Sequence, residues 1–177
     1  ETSESQELAR QVVVNLHRAD FTAIEKGRGL LKLAMAVEKE LADERGIQLE
    51  YSFVEKSVTQ PLSEAAFWKQ DISPDIRVRA FIAEVHRRAC EKTGLSQQMY
   101  FRLLRLNRIV PEARNYAQGL SEGHLREATS LSPEDQVHVI KAIATYKFNA
   151  LEASSLARAA RERGRDAVQQ FINHYTS

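Results

Sequence analysis

Cysteine is nearly missing from this sequence: Cys90 is the single one among 177 residues, which excludes an intrachain disulfide. On a helical stretch it reads as a small, buried or half-buried residue rather than a reactive thiol. Glycine and proline are scarce too, at seven and four. Ala, Leu, Arg, Glu and Gln take their place, a composition that favours helix almost throughout. No apolar run approaches the roughly 18 residues of a membrane span, and no signal-peptide pattern is present, so a soluble intracellular protein is expected. No Met leads the chain, which starts at Glu1 and reads as a piece of something longer. Clustered carboxylates and histidine–metal sets for strand cleavage are lacking. His124 has no cysteine or second histidine at ligand spacing.

What is present is a core-forming apolar fraction of 43% and a segregated charge. The net charge is only +1, yet residues 77–114 carry nine basic and three acidic residues, a balance of +6. The first 76 residues carry 9 basic and 14 acidic, a balance of −5. Eight of the nine basic residues are Arg, whose planar fork suits both phosphate and guanine. That distribution points to a basic face against a phosphate backbone.

The centre of this stretch is residues 79–106. An apolar-patterned helix runs to about Cys90, through Val78, Phe81, Ile82 and Val85. Gly94 supplies a tight turn, and Ser96 is the N-cap of a second helix. Met99, Leu103 and Leu106 would form the stripe that packs on the first helix. Gln97, Gln98, Phe101, Arg102 and Arg105 occupy the remaining surface. Gln suits adenine edges and Arg suits guanine or phosphate, so this is helix-turn-helix chemistry for a major groove.

The fold expected is mainly α: a multi-helical domain containing a helix-turn-helix, with a short extended N-terminal segment. The β-branched run at 10–16 would supply that extended piece as a strand or arm. Thr22 and Glu25 form a capping box for a long helix over 23–45, whose apolar side is Ile24, Leu30, Leu31, Ala34, Val37 and Leu41. Gly27 and Gly29 within it read as a weak first turn rather than a close approach. Residues 48–54 partly alternate, as a short strand or an extended loop would. A helix is expected at 62–70, with Phe67 and Trp68 in the core, and Ser73–Pro74 starts the next. Short helices follow from Pro111, Ser121, Ser132 and Asn149, the last with Leu151, Leu156, Ala159 and Ala160 inward, and a final one spans 166–175. Two regions are expected, 1–72 and 73–177, the second being the DNA-binding body.

Three blocks resemble the central region of ParB-type plasmid and chromosome partition proteins, including their KorB-like branch. They are V14-N15-L16-H17-R18 with the A19-D20-F21-T22-A23-I24-E25 that follows, T93-G94-L95-S96-Q97-Q98-M99-Y100-F101-R102-L103-L104-R105-L106, and G119-L120-S121-E122-G123-H124-L125-R126. The resemblance implies a dimeric, site-specific binder of double-stranded DNA at an inverted-repeat, centromere-like site. It implies work with a ParA-type ATPase in the cytoplasm, on the nucleoid or a plasmid, and no membrane. The recognition helix would place Ser96, Gln97, Gln98, Tyr100, Phe101, Arg102 and Arg105 in the major groove, with support from Ser121, His124 and Arg126. Many family members also bind CTP with magnesium. Asn15 and Arg18 match the nucleotide-contacting pair, but the family's Glu is Val14 here and its Gly-Glu-Arg-Arg block would fall before Glu1. CTP and magnesium are therefore expected only of a longer chain. Some 30 extra residues, about 42–72, also separate the first two blocks.

Partition is the leading reading. A transcriptional repressor or nucleoid-occlusion regulator would use the same body, and a CTP-hydrolysing clamp would need the longer chain. A helical protein whose basic face binds a protein or generic nucleic acid is the fourth.

Overall fold

The structure is a computed structural model that describes residues 3–59 and 76–177. All regular structure among these residues is helical. Helices α1 (Glu4–Leu16), α2 (Ala23–Arg45) and α3 (Phe53–Thr59) precede α4 (Ile76–Thr93) and α5 (Gln97–Leu104). A 3-10 turn, Arg105–Arg108, continues α5 into α6 (Pro111–Arg114) and α7 (Glu122–Leu125). A second 3-10 turn, Glu127–Ser130, leads to α8 (Pro133–Tyr146), α9 (Ala150–Arg163) and α10 (Arg165–Thr176). The expected helix at 62–70, its aromatics Phe67 and Trp68, and the Ser73–Pro74 start lie outside the described residues.

The extended N-terminal segment is corrected: residues 10–16 are the second half of α1. Ser3 caps that helix, and Glu4 and Glu7 sit in its first turn, where carboxylates favour the helix dipole. Ser5, Ala9 and Val12 recur at helical spacing and are buried against α2. Ser5 donates from its N–H and its hydroxyl to the Glu40 carboxylate, at 3.1 and 2.7 Å. The helix propensity lost at three valines is a few tenths of a kcal/mol each, which this packing outweighs.

The α2 capping box is present: Thr22 N–H donates to Glu25 at 2.7 Å, and Glu25 N–H to the Thr22 hydroxyl at 3.2 Å. The reading of Gly27 as a weak turn is overturned. A Cβ there would lie 2.4 Å from the Leu103 carbonyl oxygen, so Gly27 lets α2 touch the backbone of α5. Asn107 seals the contact, its Nδ2 donating to Gly27 O and Leu104 O, both at 2.8 Å.

The alternation over 48–54 yields no strand; residues 46–52 connect α2 to α3. The cause is Glu38, a buried carboxylate on α2. It accepts from the Ser52 hydroxyl at 2.5 Å and from the N–H groups of Phe53 and Val54 at 2.8 and 3.1 Å, so it caps α3 from outside. Burial pushes its pKa up, against the pull of those donors. α3 then holds the turn after α5: Arg108 Nε donates to Val58 O at 3.1 Å.

A single hydrophobic core gathers Leu30, Leu33 and Leu41 from α2, Val85 and Ala89 from α4, Leu104 and Leu106, and Ile140, Ile143 and Leu156 from α8 and α9. Leu151 was expected to face inward. It is 78% exposed, because Ala153, Leu156, Ala157 and Ala160 define the buried side of α9.

Candidate functional site

Helices α4 and α5 are joined through Gly94, which takes φ +70°, a left-handed conformation that suits a residue without Cβ. Ser96 is the N-cap, its hydroxyl accepting from Met99 N–H at 3.2 Å. The buried side of α5 is Tyr100, Leu103 and Leu104, with Met99 38% exposed. The expected stripe is thus shifted by one residue at its start.

Tyr100 is therefore withdrawn from the groove-facing set. Its side chain is fully buried, and its hydroxyl is hydrogen-bonded to His86 Nδ1 on α4 at 3.0 Å. Burial pushes the His86 pKa down to about 4 and raises that of Tyr100. The pair is a neutral polar bolt between the two helices, and Phe101 packs its ring edge-on against both.

The outer face of α5 lines a concavity of about 640 Å³. One wall holds Gln97, Gln98, Phe101, Arg102 and Arg105. The facing wall holds Arg126, Glu127, Thr129 and Ser130 from the second 3-10 turn and its approach, and Arg161 from α9. Six of the ten anticipated DNA contacts meet here: Gln97, Gln98, Phe101, Arg102, Arg105 and Arg126. Ser96, Ser121 and His124 do not line it. His124 is half-buried, and its Nδ1 accepts from the Ser121 N–H at 3.2 Å, closing the start of α7.

Sequence reasoning missed Arg161, Glu127, Thr129 and Ser130, which stand some 20 to 60 positions from α5 and share no local pattern with it. It also missed the post that holds the two walls in register. Gln136, buried on α8, accepts from Val110 N–H at 2.9 Å and donates to Arg108 O and Leu131 O at 3.1 and 3.2 Å. One side chain thus ties the strand of chain leaving α5 to the one leaving the second 3-10 turn.

The charge at the concavity is uneven. Arg126 is held by Glu122, Nε and Nη2 donating at 2.8 and 2.7 Å. Arg161 Nη1 lies 3.3 Å from Glu127 Oε2 and 3.2 Å from Ser130 Oγ. Arg102 and Arg105 have no carboxylate partner among the described residues. Arg108, by contrast, is buried; desolvation, then the nearby charge of Arg105, lowers its pKa to about 10.

Asn15 and Arg18 share a backbone hydrogen bond, Arg18 N–H donating to Asn15 O at 3.2 Å, but their side chains serve different surroundings. Asn15 lines a separate hollow of about 370 Å³ with Glu25, Arg28 and Lys32. Arg18 donates to Asp20 at 2.6 and 3.0 Å and lies over the Phe21 ring. Glu25 is the one carboxylate of that hollow, and its Oε2 is engaged by Thr22 N–H. The residues present do not fit a magnesium–CTP site. Among the described residues no group of three or more His, Cys, Asp or Glu could hold a metal ion, and no helix is long and apolar enough to cross a membrane.

Compared with protein-family models, curated proteins and solved structures, the chain matches none. The class of protein that the fold defines, over the described residues, is an all-helical, multi-helix domain.

Proposed function

We propose that this chain is the duplex-reading body of a site-specific DNA-binding protein, used in plasmid or chromosome partition. One observation carries the reading: Gln97, Gln98 and Arg102 on one eight-residue helix, with Arg105 at the start of the turn that continues it, line a concavity whose far wall adds Arg126 and Arg161. Amide and guanidinium groups on one helix are what the major groove's donor and acceptor code requires, while Arg105, without a carboxylate partner among the described residues, adds phosphate attraction. In this reading α4, the Gly94 turn and α5 are a helix-turn-helix, with α5 in the groove and the buried His86–Tyr100 pair bracing it. An inverted-repeat site, a second copy of the chain and a ParA-type ATPase belong to the same proposal.

Sequencing genomic fragments retained by the purified protein tests it. The expected outcome is one recurrent motif, bound with steep salt dependence. Replacing both Arg102 and Arg105 with Ala is expected to weaken that binding about 100-fold, on the scale of two lost charge-assisted contacts. Retention of all fragments alike, or full binding by the double variant, would end the reading.

A further inference from the structure

The concavity contains one carboxylate that DNA binding would not ask for. Glu127 lines it beside Arg102, Arg105, Arg126 and Arg161. Its pair with Arg161 leaves the two side chains 29% and 43% exposed, and a pair so solvated contributes about 0–1 kcal/mol to stability. The local fold has other ties. Thr129 Oγ1 donates to Arg126 O at 2.8 Å, Ser130 Oγ to Glu127 O at 2.9 Å, and Gln136 Nε2 to Leu131 O at 3.2 Å. The Glu127 carboxylate is therefore surplus to holding the turn, and it stands where phosphates would approach.

We propose that Glu127 is a specificity-determining residue that weakens binding to non-cognate duplexes; this rests on reading the concavity as the DNA surface. An arginine-lined hollow attracts any phosphate backbone, whatever its sequence. A carboxylate inside it repels that backbone and loses its water when the duplex seats. The loss is offset only where a base presents an amino donor, cytosine N4 or adenine N6, to replace that water. Discrimination then comes from a repulsive element set among attractive ones. Arg161 moderates it, because its Nη1 shields one carboxylate oxygen.

The test measures affinity of wild type, Glu127→Gln and Arg161→Gln for the selected duplex and a scrambled one at three salt concentrations. Glu127→Gln is expected to tighten scrambled binding roughly tenfold and steepen its salt slope by about one ion, with less change on the selected duplex. The ratio between the two duplexes shrinks. Arg161→Gln leaves the carboxylate without its cation and is expected to act the opposite way, weakening the scrambled duplex more and widening the ratio. The two signs are independent, so a folding defect in one variant, seen by circular dichroism, leaves the other to decide. A ratio unchanged in the folded variants, or equal weakening of both duplexes by Glu127→Gln, overturns the proposal. A wild type that binds selected and scrambled duplexes alike overturns the DNA reading itself, before Glu127 is at issue.

Discussion

Helix α4 and the segment formed by α5 and the turn after it each carry two arginines close together, and they use them differently. On α4, Arg87 lies 2.7 Å from Glu84 and 2.6 Å from Glu91, while Arg88 lies 2.9 Å from both Glu84 and Glu44. Arg87 and Arg88 hold the Glu84 carboxyl down at about 2. On α5 and the turn after it, Arg102 and Arg105 have no such carboxylate among the described residues, and in the sequence no acidic residue lies between Glu91 and Glu112. The balance of +6 over this stretch is thus not one basic face. Carboxylates three and four residues away neutralise Arg87 and Arg88 locally, Arg108 is buried, and of the nine basic residues Arg102 and Arg105 alone line the concavity. Counting charge finds a basic region; spacing of the opposite charge finds the part of it that can meet a ligand.

The strongest way to break this contrast is to move α5. Gly27→Ala forces a methyl group against the Leu103 carbonyl, where the obstacle is backbone and cannot swing aside. It is expected to cost about 3 kcal/mol, as overpacking of a tight helix contact does. Urea denaturation reads it, and a midpoint equal to wild type would show that α2 and α5 are not in contact. The contrast is sharpened by Arg87→Ala with Arg88→Ala, expected to change duplex affinity less than about threefold, beside the large loss at Arg102 and Arg105. Equal losses at both pairs would erase the distinction between them.

A smaller effect comes from pH. His86 is depressed to about 4 from an ordinary value of 6.5 by burial. As pH falls, the unfolded chain takes up that proton first. The stabilisation is complete above the unfolded value and is lost on the way down to about 4. Between pH 7 and 5 this amounts to roughly 2 kcal/mol. His86→Gln keeps a polar partner for Tyr100 without the titration, and its melting temperature is expected to fall less over that interval. Parallel curves would show that His86 does not carry the acid sensitivity. Least of all, Leu151→Ser at an exposed position is expected to shift stability by under about 0.5 kcal/mol in thermal denaturation. A loss of several times that would restore Leu151 to a buried contact.

Local signals carried far. Thr22 with Glu25, Ser96, Ser132 before Pro133, and Asn149 with Glu152 each start a helix where the sequence places one. The reason is that a cap and its partner lie within four residues, so the chemistry is complete before tertiary structure forms. The same local view failed at 10–16, where three valines suggested a strand and burial of Ser5, Ala9 and Val12 on α2 made a helix. It failed at Gly27, whose purpose is a carbonyl 76 positions away. It put Tyr100 among the groove-facing residues, because on the sequence nothing shows that His86 waits inside to accept a hydroxyl partner.

The chain by itself determined that this protein is helical, where most of its helices begin, and that glutamine and arginine share the face of α5. Those properties rest on backbone propensity, caps and a 3.6-residue period, all short-range. Only the tertiary structure decided which arginines are already neutralised, that Glu38 caps α3 from another helix, and that Glu127 and Arg161 stand opposite α5. Each depends on groups far apart in sequence being desolvated and held together, and no local pattern encodes which partner burial will bring.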